Sequence, residues 1–123
     1  MTVATGDVRI RVRDVMTAAS KVLNIPRETL RAGYGPHVAA RQLAMALAVE
    51  LTDKTLVDIA FVFGCDHTTI HHAQVRVRGR LRDDAELRAK ADRIRVEAAI
   101  SAARFIETMR RAALPQANQQ RSA

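Results

Sequence analysis

Aromatic side chains are scarce: the 123 residues include no Trp, one Tyr and three Phe. The stacking platforms that hold single strands or flipped bases therefore have little to be built from. The single cysteine, Cys65, cannot form an internal disulfide, and Met1 to Asp7 lacks the basic-then-apolar layout of a secretory signal. A reducing cytoplasm is the expected compartment. No run approaches the roughly 20 continuous apolar residues of a membrane span. Strand-like alternation is confined to short pieces such as Val8 to Val12, so no sheet is expected. No P-loop pattern G-x-x-x-x-G-K-S/T occurs anywhere in the chain, and no bound nucleotide is expected.

What is abundant is Ala, Leu, Arg, Glu and Met, which favours helices throughout. At 48% hydrophobic the chain can build the core of one domain, read here as residues 1–114 with a disordered tail at 115–123. Twenty Lys and Arg against thirteen Asp and Glu leave a charge of +7, which draws the protein toward a polyanion. Nucleic acid fits best. With so few aromatics, duplex DNA is preferred over single strands, and an anionic membrane surface is the rival polyanion.

Apolar residues recur at three- and four-residue steps from Val12 to Leu23, the stripe of a first helix. Pro26 belongs outside a helix interior or in a first turn, so a short helical turn is expected over Pro26 to Leu30, followed by a break at Gly33-Tyr34-Gly35-Pro36. His37 to Leu51 reads as a strongly buried helix, with Leu43, Ala46, Leu47 and Leu51 on one face. Thr52 to Thr55 supplies a turn and an N-cap, and Leu56, Ile59, Ala60 and Phe63 form the inner face of a short helix that Gly64 ends. Asp66 can cap the next helix, whose buried stripe is Ile70, Ala73 and Val77. After a polar stop at Arg82-Asp83-Asp84, a longer last helix is expected over about Ala85 to Ala113, halted by Pro115.

A helix, a tight turn at Gly64 and a second helix can push the start of the second helix into a major groove about 12 Å wide. The chemistry at that start suits the task. Asp66 can accept from a cytosine amino group, His67 can donate or accept, and Thr68 and Thr69 can touch a thymine methyl or bond a base or phosphate. Beside them, Arg41, Thr52, Lys54, Thr55 and Arg76 offer donors for phosphates on either side of the groove. The alternating Arg76, Arg78, Arg80 and Arg82 would be spread around a helix, so only some can face one backbone.

The segments ARQLAMALAVELT at 40–52 and TLVDIAFVFGCDHTTIHHA at 55–73 resemble the C-terminal DNA-binding domain, domain IV, of the bacterial replication initiator DnaA. The similarity spans roughly Val12 to Leu81, with Phe63-Gly64 and Asp66-His67-Thr68-Thr69 as its signature. It implies a Trp-repressor-like helical domain that binds a nine-base-pair box. By that resemblance Asp66, His67 and Thr68 would read base edges, and Arg41, Gln42, Thr52, Thr55, Thr69, His72 and Arg76 would grip the backbone. The family's loop after Leu30 is rich in Arg and sends one into the minor groove. Here the loop is shorter, Arg31 to Pro36, with Arg31 the nearby substitute. The family's ATPase module has no counterpart in these residues, and the last helix exceeds what the family domain usually carries.

Other readings are weaker. His67 and His71 share a helix face beside Cys65, but closed zinc sites usually want four ligands at set spacings, so no metal or other cofactor is expected. No motif surrounds Cys65 to make it a catalytic thiol, and no enzymatic activity is expected. His72 could be a half-buried structural histidine. The rival functional class is an adaptor whose long C-terminal helix recruits a protein partner or a second copy. The leading expectation is a nucleoid-associated regulator of transcription or replication that binds duplex DNA.

Overall fold

The computed structural model describes residues 9–32 and 35–122, without the side chains of 115–122. Val8, Gly33, Tyr34 and Ala123, on which parts of the expectations above fall, lie outside the described residues. The architecture is all-α. Helix α1 spans Val12–Leu23, α2 Arg27–Ala32, α3 Val38–Leu51, α4 Leu56–Phe63, α5 His67–Asp83 and α6 Ala85–Ser122, with a single 3-10 turn at Gly35–His37 before α3. Among the described residues there is no strand.

Several boundaries have a local cause. Helix α1 ends where Asn24 turns left-handed at φ 56°, and Pro26 then opens α2 by accepting the N–H groups of Thr29 and Leu30. Thr55 and Asp58 cap α4 reciprocally: Thr55 Oγ1 accepts the Asp58 N–H at 3.1 Å, and the Asp58 carboxylate accepts the Thr55 N–H at 3.3 Å. Helix α5 runs two residues past the expected Leu81, and of the polar stop only Asp84 caps, accepting the Leu87 N–H at 3.0 Å.

Helix α3 is the centre, touching each of the other five helices. Its Leu43, Ala44, Met45, Leu47 and Ala48 are all buried, as a helix that is apolar on most sides must be. Around it lie Val15 and Ala19 of α1, Leu30 of α2, Ile59 and Phe63 of α4, Ile70, Ala73 and Val77 of α5, and Ile94 and Ala98 of α6. Helix α6 packs along α1, with a Lys21–Glu97 ion pair at their edge. Arg95 ties it to Glu50 of α3.

The end of α6 corrects the sequence expectation. The helix does not stop before Pro115 but continues through it to Ser122. Proline accepts the helical φ but has no N–H for the Arg111 carbonyl four residues back and crowds it, and α6 is nonetheless helical on both sides of Pro115. Beyond Ala102, α6 carries largely exposed side chains, Phe105, Met109 and Leu114 among them.

Candidate nucleic-acid interface

The turn between α4 and α5 is built by backbone chemistry that Gly64 permits. Gly64 adopts φ +67°, a left-handed conformation that costs a side chain energy but leaves glycine free. Its N–H and that of Cys65 fold back onto the carbonyls of Phe61 and Ala60, satisfying the end of α4 in three residues. Asp66 then caps α5, accepting the Thr68 N–H at 3.2 Å. Behind the turn, Phe63 and Ile70 are buried, so the second helix is anchored at a fixed angle.

Asp66, His67 and Thr68 stand exposed together in this first turn, with His67 Nδ1 3.0 Å from the Asp66 carboxylate; Thr69 is half-buried. Thr68, His72 and Arg76 follow one another at four-residue steps, and all three are exposed, which gives α5 one polar stripe running away from its tip. His72 is therefore no half-buried structural histidine. Its ring lies 6.2 Å from that of His71, also exposed.

The remaining candidates sit on two other elements. Thr52, Lys54 and Thr55 occupy the connection into α4. Thr52 closes α3 by donating its hydroxyl to the Ala48 carbonyl at 2.6 Å and accepts the Lys54 N–H at 3.3 Å, while Lys54 projects exposed. Arg41 and Gln42, on α3, do not project freely. The Arg41 guanidinium donates to the backbone carbonyls of Arg31 at 3.2 Å and Phe63 at 2.9 Å. The Gln42 carbonyl oxygen accepts from Arg80 at 2.8 Å, leaving its amide N–H groups as the remaining donors.

That last bond gives Arg80 a part the sequence did not single out. Arg76, Arg78 and Arg82 are exposed, as expected from their spread around a helix, whereas Arg80 is half-buried against Gln42. The two lie 38 residues apart, and no local pattern links them. Burial pushes the Cys65 thiol above its ordinary value, against the opposing pull of Arg41, so Cys65 stands as a neutral filler in the turn. An open cleft of about 600 Å³ beside the turn is lined by Arg31, Arg41, Gly64, Cys65 and Thr69 among others.

The sequence that builds this arrangement is similar to those of known proteins. The bacterial DnaA protein helix-turn-helix family matches residues 12–77, just over half of the chain. The chain is 35% identical over 95 residues to a chromosomal replication initiator protein DnaA of Deinococcus deserti, covering 75% of this chain and 21% of that one. Its counterparts in Streptococcus thermophilus and Mycobacteroides abscessus are 35% and 37% identical over 89 and 83 residues, covering 70% and 65% of this chain and 20% and 17% of theirs. The chain thus matches about a fifth of the length of these curated relatives.

Proposed function

The chain belongs to the helix-turn-helix family of bacterial DnaA proteins, and from that premise we propose that it binds double-stranded DNA by inserting the start of α5 into the major groove. The observation that carries this reading is the tip itself. Asp66, His67 and Thr68 are exposed on a turn held by backbone and capping hydrogen bonds at Gly64, Cys65, Thr68 and Thr69, so their donors and acceptors are presented with little further ordering. These three read base edges. Lys54, Thr55, Thr69, His72 and Arg76 flank them as phosphate contacts, with Arg41 and Gln42 adding the N–H groups their internal bonds leave free, while Thr52, its own donors spent on the Ala48 carbonyl, holds the connection that presents Lys54 and Thr55. The N-termini of α4 and α5 add partial positive charge where phosphates would pass. In this reading the target is a site like the initiator's box, the compartment is the cytoplasm at the nucleoid, and the output is regulation of transcription or replication.

Selection from a random duplex library tests the reading directly: a motif is expected to emerge. On that motif, Thr68→Ala and His67→Ala each lose about 1–3 kcal/mol of discrimination per lost contact. Failure to enrich any motif, or variants that discriminate like the parent, would overturn it.

A second reading, an adaptor that recruits a protein or a second copy through α6, draws support from the exposed Phe105, Met109 and Leu114 on that helix.

A further inference from the structure

Arg41 lies half-buried on α3, between two helix ends. Its Nε–H bonds the carbonyl of Arg31, in the last turn of α2, and its terminal nitrogen bonds the carbonyl of Phe63, the last residue of α4. Both acceptors belong to the carbonyls that a helix C-terminus leaves without internal partners, and both helix ends carry partial negative charge. One planar cation therefore ties two helix ends together. Both ends line the cleft beside the turn, with exposed Arg31 from the first and Phe63 and Gly64 from the second, and Arg41 lines it too.

We propose that Arg41 is a positioning residue that sets the spacing between Arg31 and the tip of α5, so that Arg31 and Asp66-His67-Thr68 engage one duplex in a single register. The proposal rests on the DNA-binding reading above, with Arg31 standing in for the family's minor-groove arginine, and adds to it the device that places Arg31 relative to the tip. The fork is what matters. A guanidinium presents several N–H groups in a fixed plane and reaches two carbonyls at once, whereas a lysine at the same place supplies the charge as a point and cannot hold both in fixed geometry.

Three measurements on the full chain decide the matter. In the DNA-free protein, the Arg41 Nε–H signal should exchange with solvent at least about tenfold more slowly than that of exposed Arg78, since a bonded N–H must open first. Equal rates would remove the clamp and the proposal with it. On a selected duplex, Arg41→Lys should lower the ratio of specific to scrambled-sequence affinity about tenfold while leaving the salt slope unchanged. A simple phosphate contact gives the opposite pattern: Arg41→Lys keeps the ratio, and Arg41→Ala weakens both duplexes alike with a slope reduced by about one. Arg31→Ala should reduce the ratio as Arg41→Lys does, and the double variant should lose no more than either alone, because one register contact is removed in each. Additive losses would overturn the coupling, and so would an Arg31→Ala variant that discriminates like the parent, a test that stands even if Arg41→Lys does not fold. Should the parent bind no duplex, the DNA reading falls and this role with it, even if slow exchange shows the clamp to be present.

Discussion

Two aspartates in this molecule stand in opposite settings. Asp14, at the seam of α1 and α6, is 0% exposed, and its carboxylate accepts from the Arg11 backbone N–H, twice from the Arg11 guanidinium, and from Ser101 at 2.8 Å. Arg11 in turn lies over the Phe105 ring, its guanidinium carbon 3.6 Å from the ring centre. Asp66, at the tip of α5, has a side chain 66% exposed and accepts a single backbone bond from Thr68, with His67 beside it. The first carboxylate has spent its lone pairs on the fold. The second keeps capacity for a ligand, and only such a group can read a base without first breaking something.

The contrast can be broken where it is most strongly drawn. Phe63 is 1% exposed and anchors the turn to α3, so Phe63→Ala should cost about 3–5 kcal/mol in urea unfolding. Because α3 touches every other helix, the loss should come in one transition; two separate transitions would mean that the seam and the tip fold independently.

Asp14→Ala leaves Arg11 and Ser101 without their shared acceptor. It should cost about 2–3 kcal/mol, less than a fully enclosed ion pair because the Arg11 side chain remains 30% exposed. The effect also has a pH signature. Burial alone would raise the Asp14 carboxyl, but the bonds from Arg11 and Ser101 outweigh it and hold the group below its ordinary value of 3.8. The stabilisation is therefore fully present above 3.8 and is lost as pH falls through the lower folded value. Acid unfolding of Asp14→Ala should lack that part of the slope, and an unchanged slope would show that the carboxylate is not held as described.

The smallest effect should come from the far end of α6. Deleting residues 107–123 removes a segment that lies beyond the Arg11–Phe105 contact and whose side chains at 107–114 are exposed, so stability should change by less than about 0.5 kcal/mol and duplex affinity by less than about twofold. A large loss of affinity would mean that duplex binding draws on the last helix as well as on the tip.

Most of the helices and the turn that carries the tip were legible because their causes are local. The Thr55 cap, the left-handed Gly64 and the Asp66 cap each act within a few residues, and the stripe Ile70, Ala73, Val77 follows from helical period alone. The same local reasoning placed the end of the last helix before Pro115, whereas α6 is helical to Ser122. It also took Arg41 as a free donor, as the family resemblance took Gln42, since side-chain chemistry reveals capacity and not partners.

By itself, then, the chain's order of residues determined an all-α helix-turn-helix with a positively charged surface and a polar, capped tip, since propensity, periodicity and capping are short-range terms. Only the packed structure decided that Arg41 joins two helix ends, that Arg80 orients Gln42, and that Asp14 meets Ser101 across 87 residues. Such pairings depend on which surfaces α3 draws together. Burial then fixes them, because a polar group removed from water must find its partner wherever the fold has placed one.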